Sequence, residues 1–102
     1  MTKHIELFPG SKADLENMTG ETYQAMKYRD GRLMQVETRI FAFGVCHPTD
    51  TKDKIDQQLR ELVRNQDAHA LVHLNYFYAS GIKPEQEKIN IVGGSGYLVK
   101  RV

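Results

Sequence analysis

The strongest periodic pattern in the chain is helical and begins near residue 50. Apolar residues recur there at intervals of three, four and one, which places them on one side of an α-helix: Ile55, Leu59, Leu62 and Val63. The opposite side carries the charged residues Lys52, Asp56, Arg60, Glu61 and Arg64. Asp50 or Thr51 is the expected N-cap, because either side chain can accept a hydrogen bond from a free backbone N–H. The pattern predicts one amphipathic helix lying on a sheet.

Residues 67–80 follow this helix and alternate as a β-strand does. One face of the strand would carry Ala70, Val72, Leu74, Tyr76 and Tyr78. The other face would carry His69, Leu71, His73, Asn75 and Phe77. We expect the first face to pack under the helix, so the second face needs another cover.

A hairpin is predicted at Asp30-Gly31, which separates two strand-like runs, residues 21–29 and 32–46. Asp-Gly favours a type I′ turn, because both central residues of that turn need positive φ. A two-residue loop would place Arg29 opposite Arg32, a like-charge pair, so a four-residue loop is equally consistent with the sequence.

The two ends of the chain carry weaker patterns. Residues 4–8 indicate an edge strand or a packed arm, and Ser11 is a good N-cap for a short helix that ends at Thr19-Gly20. Residues 89–102 form a last strand interrupted by Gly93-Gly94-Ser95-Gly96. Glycines within a strand indicate a bulge, a bend or the close approach of another backbone.

These elements predict a single α+β domain over residues 1–102, with an arm and short helix in 1–20 and a β-β-α-β-β core in 21–102. Its two layers are an antiparallel sheet of three to four strands and one main helix that covers one sheet face. The second face would carry Phe41, Phe43, Leu71, Phe77 and either Tyr97 or Leu98. Either the arm or another subunit covers that face, and an uncovered aromatic patch favours self-association.

The charge balance argues against a polyanionic partner. The 102 residues include 14 Lys and Arg against 13 Asp and Glu, a formal charge of +1. Long-range attraction to nucleic acid or to an anionic membrane is therefore not expected. The first ten residues lack the apolar core of a signal peptide, and no run approaches the ~20 apolar residues of a membrane span. We expect a cytoplasmic protein with neither partner.

Cys46 and His47 are the candidate metal ligands. They follow a predicted strand and precede a helix N-terminus, a position that favours a reactive thiolate. Cysteine and histidine together suit a soft metal ion, but a closed site needs three or four ligands. The others would come from His4, from Asp50 or from a neighbouring subunit. The alternative is a partly buried cysteine beside a solvated histidine in a loop.

His69 and His73 are candidates for a ligand site or an interface, together with Phe77, Phe41 and Phe43. Four residues along a strand span about 13 Å, so the two histidines of one chain are too far apart to share an ion. In a ring of subunits each histidine would meet its symmetry copies or form hydrogen bonds at the interface. The glycine-rich stretch lacks the pattern of a phosphate-binding loop.

The run L-R-E-L-V-R-N-Q-D-A-H-A-L-V-H-L-N-Y-F-Y-A-S-G, followed by G-G-S-G-Y-L-V-K, resembles the YbjQ-type family of heavy-metal-binding domains. The resemblance covers residues 35–101. It implies a β-α-β-β core similar to dodecin subunits and assembly into a ring, often a pentamer. The chain departs from the family at Gln66-Asp67, where a glycine is usual, and in its first thirty residues.

The sequence leads to three functional hypotheses. The first is a homo-oligomeric binding or scaffolding protein that holds a soft metal ion or a small ligand between subunits. The second is a small enzyme with an interface active site that uses Cys46 and His47, and the third is a dodecin-like flavin binder. No spacing of residues assigns catalytic roles, so the sequence favours a binding protein.

Overall fold

A computed structural model describes residues 4–39, 48–78 and 91–102, with side chains for 4–39, 52–77 and 93–102. The elements in chain order are β1 (Glu6–Leu7), α1 (Lys12–Thr19), β2 (Tyr23–Ala25), β3 (Gln35–Arg39), α2 (Pro48–Asn65), β4 (Ala70–Tyr78) and β5 (Ile91–Arg101). The α+β class is confirmed, with α2 as the main helix on the sheet. Neither helix is long and apolar enough to span a membrane.

The last strand, β5, is the centre of the sheet. It pairs antiparallel with β4 on one side and with both β2 and β3 on the other. β2 lies along residues 99–101 of β5, and β3 lies along residues 93–97. β1 adds to the far edge of β4 in parallel, so the sheet is mixed rather than purely antiparallel. The C-terminal strand β5 therefore lies between β2 and β3 from the first half of the sequence and β4 from the second half.

The turn at Asp30-Gly31 forms, but with a different loop length from either one expected. The N–H of Tyr28 donates to Arg32 O at 2.9 Å, and the N–H of Gly31 donates to Tyr28 O at 3.0 Å. Gly31 has φ 87°, and Asp30 is not among the residues with positive φ. This is a three-residue loop closed by a left-handed glycine, the form that follows a type I turn. Beyond it the two arms pair with β5.

Both helices begin where a side chain or a proline suits a first turn. Ser11 caps α1 as predicted, since its Oγ accepts the N–H of Asp14 at 3.2 Å. The helix ends at Gly20, which has φ 74° and donates its N–H to Glu16 O at 2.8 Å. α2 begins at Pro48, earlier than the predicted caps Asp50 and Thr51. Proline fits there because the first N–H of a helix has no intrahelical partner.

Two apolar clusters lie on opposite faces of the sheet. On the α2 face, Val63 packs with Ile5, Ala68, Leu71 and Leu98. On the α1 face, Leu15 packs with Tyr23, Ala70, Val72 and Val99. The prediction that Ala70 and Val72 lie under the main helix is therefore wrong, as is the placement of Leu71 on the second face. Tyr97, rather than Leu98, belongs to that second face.

The error has a single physical cause, a bulge in β4. Between Val72 and Asn75 this strand advances three residues while its partner β5 advances two, from Tyr97 to Ser95. The extra residue is His73, whose φ is 54°. One inserted residue reverses the alternation of all later side chains. Leu74 and Tyr76 consequently return to the α2 side, as predicted.

Two glycines of β5 let neighbouring elements approach the central strand: Gly94 admits α2, and Gly96 admits Leu71 of β4. A Cβ atom at Gly94 would lie 3.1 Å from Ile55 Cγ2 and 3.2 Å from Leu59 Cδ1. A Cβ atom at Gly96 would overlap the side chain of Leu71 and lie 2.9 Å from Val72 O. Close approach is therefore one role of these glycines; the bulge at His73 lies in β4, and a second register shift lies between Phe77 and Tyr78, next to Gly93 of β5.

Replacement of Gly96 by alanine is expected to lower the free energy of unfolding by about 1–3 kcal/mol, because Leu71 must move from a filled core. Gly94→Ala should cost less, since its neighbours are side-chain ends at 3.1 Å or more. Urea unfolding of both variants, read by circular dichroism, measures the difference.

A double-mutant cycle tests whether overlap with Leu71 causes the loss of stability in Gly96→Ala. In a Leu71→Ala background the cost of Gly96→Ala should shrink, because the overlapping methyl groups are gone. Strictly additive costs would contradict the proposed overlap.

Candidate functional site

Four of the predicted site residues lie outside the described part of the chain. These are Cys46 and His47, the candidate metal ligands, and Phe41 and Phe43. Among residues 4–39, 52–77 and 93–102, no three His, Cys, Asp or Glu side chains come together in a way that could hold a metal ion. The soft-metal site stays a prediction from the sequence.

His69 and His73 are described, and the structure separates them. His69 Nδ1 accepts the backbone N–H of Arg101 at 2.8 Å, so this ring nitrogen carries a lone pair rather than a proton. His73 is exposed, and its backbone N–H donates to Gly10 O at 2.9 Å. The two residues line different cavities, because the bulge at His73 breaks the alternation between them. The two histidines of one subunit therefore do not line a common cavity.

The second sheet face carries an aromatic surface that α1 does not cover. We call this surface the exposed sheet face and define it by Tyr28, Leu33, His73, Phe77 and Tyr97. The ring of His73 meets that of Tyr97 edge to face, with centroids 6.0 Å apart. Tyr28 and Leu33, on the hairpin beside it, are 45% and 46% exposed. Phe77 and Tyr97 are half-buried.

Charged side chains of β3 flank the far end of the exposed sheet face. The guanidinium of Arg39 lies over the ring of Phe77, 4.9 Å from its centroid, and Arg39 Nη2 is 3.4 Å from Glu37 Oε1. Such a cation–π contact at an exposed site contributes about 0.5–1 kcal/mol. The exposed sheet face therefore ends in a pair of opposite charges.

A groove of about 460 Å³ opens between α1 and the exposed sheet face. Val72 and Val99 form its floor, and Leu33, His73 and Tyr97 form its walls. Its lining is mostly apolar, and its volume falls within the range of small-ligand sites. The groove suits an apolar group of a ligand or of another protein chain.

Lys12 closes one end of this groove and is held in place by its neighbours. Its ammonium lies 3.3 Å from Glu16 Oε1 and 3.4 Å from Tyr23 O. The backbone N–H of Tyr23 donates to Glu16 Oε2 at 2.8 Å, and this bond, aided by Lys12, lowers the pKa of Glu16. The groove thus has one cationic end whose charge is partly balanced.

A buried polar cluster joins α2 to β4, and sequence reasoning missed it. Asp56 is only 9% exposed, and its carboxylate accepts from Tyr76 Oη at 2.5 Å and from Lys52 Nζ at 3.0 Å. Burial, together with Asp56, raises the pKa of Tyr76 to about 12. The bond to Asp56 also raises the pKa of Lys52. Tyr76 and Lys52 therefore keep their protons at neutral pH and act as fixed donors.

The signal for this cluster was the position of Tyr76 on the helix-facing side of β4. A buried tyrosine hydroxyl needs a hydrogen-bond partner, and the facing helix offered Asp56. The helical pattern placed Asp56 on the charged side, yet it lies beside fully buried Ile55 at the edge of the stripe. The cluster positions α2 on the sheet and supplies no free base.

Tyr76→Phe is expected to lower the free energy of unfolding by about 1–2 kcal/mol, because Asp56 loses a hydrogen bond in a buried place. In an alkaline absorbance titration the native protein should show an ionisation near pH 12 that comes from Tyr76 and is absent from this variant. Folding raises this pKa above the ordinary 10.0, so the stabilisation is complete below pH 10 and declines as the pH rises through 12.

Tyr28→Phe is the matched control, since this exposed hydroxyl has no comparable burial. Its removal should leave both the stability and the ionisation near pH 12 unchanged. Loss of that ionisation in Tyr28→Phe, or its persistence in Tyr76→Phe, would contradict the assignment.

Comparison of the chain with models of known protein families, with curated proteins and with solved structures gave no match. The resemblance to the YbjQ-type family therefore stays a prediction that rests on the sequence motifs quoted above.

Proposed function

We propose that this protein is a homo-oligomeric binding protein whose subunits associate through the exposed sheet face. The observation that carries the proposal is the grouping of exposed apolar side chains on one side of the sheet. Tyr28 and Leu33 are nearly half exposed, and both line concave surface next to Tyr97. Burial of such surface contributes roughly 25 cal/mol per Å², and contiguous apolar patches mark association sites.

A second copy of the chain is the partner that fits this face. In a two-fold symmetric contact, the same patch meets itself, so opposite charges within the patch can pair across the interface. Arg39 and Glu37 at the edge of the face provide both signs. The formal charge of +1 also leaves little net repulsion between copies.

Association would convert the groove beside Tyr97 into an enclosed binding site. The walls of the groove already include Leu33 and Tyr97, so a subunit seated on them would close its open side. The site so formed has an apolar floor, the imidazole of His73 and the ammonium of Lys12. These groups suit a small amphipathic ligand in a cytoplasmic protein, and a ring of the YbjQ-like type would need a second, head-to-tail contact in addition to this two-fold one.

The assembly predicts the behaviour of charge substitutions at exposed positions. The wild-type chain should sediment as an oligomer, and Tyr28→Glu with Leu33→Glu should shift it to the monomer, because carboxylates would be buried at the interface. Met18→Glu is the matched control, since Met18 on α1 is 57% exposed and does not line the groove or the concave surface beside Tyr97. Sedimentation velocity over a range of concentrations measures all three forms.

A wild-type chain that sediments as a monomer at every concentration would overturn the proposal. If Met18→Glu dissociates the oligomer as strongly as Tyr28→Glu with Leu33→Glu does, the exposed sheet face is not the interface. Circular dichroism of each variant confirms that the fold is retained.

The soft-metal site predicted from Cys46 and His47 has a separate test. Protein purified without an affinity tag should contain bound metal by elemental analysis, and Cys46→Ser should lose it, because the thiolate is the soft ligand. Absence of metal from both forms rejects this site and leaves the association of subunits unaffected.

A further inference from the structure

A second cavity, of about 420 Å³, lies on the α2 side of the sheet, away from the exposed sheet face. It forms where α2 ends and the chain turns into β4, next to the last residues of β5. Arg64, Lys100 and Arg101 line it, together with Asp67. Buried Ile5 and Ala68, 6% and 5% exposed, contribute its apolar part. Cations from a helix and a strand therefore converge on one concavity.

Two of the three basic side chains that line this cavity have no ion-pair partner among the described residues. Arg101 Nε pairs with Glu21 Oε2 at 2.7 Å. Within the described residues, by contrast, neither the Arg64 guanidinium nor the Lys100 ammonium has a hydrogen bond or an ion pair. Asp67 is the one carboxylate in the lining, so positive charge exceeds negative charge there.

The backbone around the cavity is fixed by a hydrogen bond on its wall. His69 Nδ1 accepts the N–H of Arg101 at 2.8 Å, which ties the start of β4 to the end of β5. The N–H of Ala68 donates to Val63 O at 3.0 Å, which holds the turn after α2. The cations thus extend from a preorganised frame, which lowers the entropic cost of binding.

We propose that this cavity binds a small phosphomonoester, with Arg64 and Lys100 on the phosphate and with Ile5 and Ala68 against the organic group. Two separate cations suit a dianion with several acceptor oxygens, and charge-assisted hydrogen bonds to phosphate are strong. The volume exceeds that of a bare phosphate and lies in the range of small-ligand sites. The proposal is independent of the oligomeric state.

Asp67 distinguishes this proposal from a metal site in the same place. Its carboxylate would oppose a bound anion but would favour a bound cation. Asp67 has φ 55°, and asparagine tolerates that conformation as well as aspartate does. Asp67→Asn therefore changes the charge of the cavity without straining the turn.

The test is an NMR titration of the full chain with phenyl phosphate, inorganic phosphate and phenol. Phenyl phosphate should shift the amide signals of Ala68 and Lys100 saturably, and it should bind more tightly than inorganic phosphate because of the apolar floor. Phenol, which lacks the phosphate, should leave those signals unshifted.

Variants that remove charge show which side chains bind the phosphate. Arg64→Gln with Lys100→Gln should weaken phenyl phosphate binding by at least about tenfold. The control, Lys54→Gln with Arg29→Gln, removes the same charge at exposed positions elsewhere and should stay within about twofold, since exposed distant charges are screened. Asp67→Asn should bind more tightly than the wild type.

Three results would overturn the proposal. The first is the absence of saturable shifts in the wild type with any phosphate probe. The second is an equal loss of binding in both double variants, which would mean general electrostatic attraction. The third is weaker binding by Asp67→Asn. The amide spectrum of each variant shows directly whether it is folded.

Discussion

The close approach of α2 to the central strand β5 is the contact on which the rest of this structure depends. It occurs at Gly94, where a Cβ atom would crowd Ile55 and Leu59 of α2, and at Gly96 a Cβ atom would instead overlap Leu71 of the neighbouring strand β4. Because these glycines have no side chains, the three apolar residues fill the layer between helix and strand and are fully buried. The conformational freedom that glycine loses in a strand is the cost of this packing.

Because the long helix α2 packs on one face of the sheet, the other face has only the short helix α1 to cover it. α1 has 8 residues and one fully buried side chain, Leu15, so it covers only the end of the second face near Ala70 and Val72. The bulge at His73 then turns Leu74 and Tyr76 toward α2, where Tyr76 bonds to Asp56. What remains on the second face is Tyr97, Phe77 and the hairpin, and the proposed self-association rests on that remainder.

Local patterns in the sequence were enough to predict the local elements. The apolar stripe of α2, the Ser11 cap and the stop at Gly20 depend on interactions within a few residues, and all three are present. The bulge at His73 could not be predicted, because its cause lies in the pairing of β4 with β5. The burial of Asp56 likewise depends on a residue 20 positions away.

Site residues were harder to predict than helices and strands, because a site depends on residues that are distant in sequence. His69 and His73 share a face in an ideal strand, and one inserted residue sends them to different cavities. The basic cavity combines Arg64 with Lys100, which are distant in sequence, and no motif connects them. Phe77 lies on the second face as predicted, and of the two alternatives Tyr97 and Leu98 it is Tyr97 that lies there.

Hydroxyl-radical footprinting at high and low protein concentration shows whether a second copy covers the exposed sheet face. Tyr28 and Met18 are 45% and 57% exposed in the single chain, so Met18 serves as an internal reference. Tyr28 and Leu33 should become protected as the concentration rises, while Met18 keeps its reactivity. Equal and concentration-independent oxidation of the hairpin and of α1 would contradict association through this face.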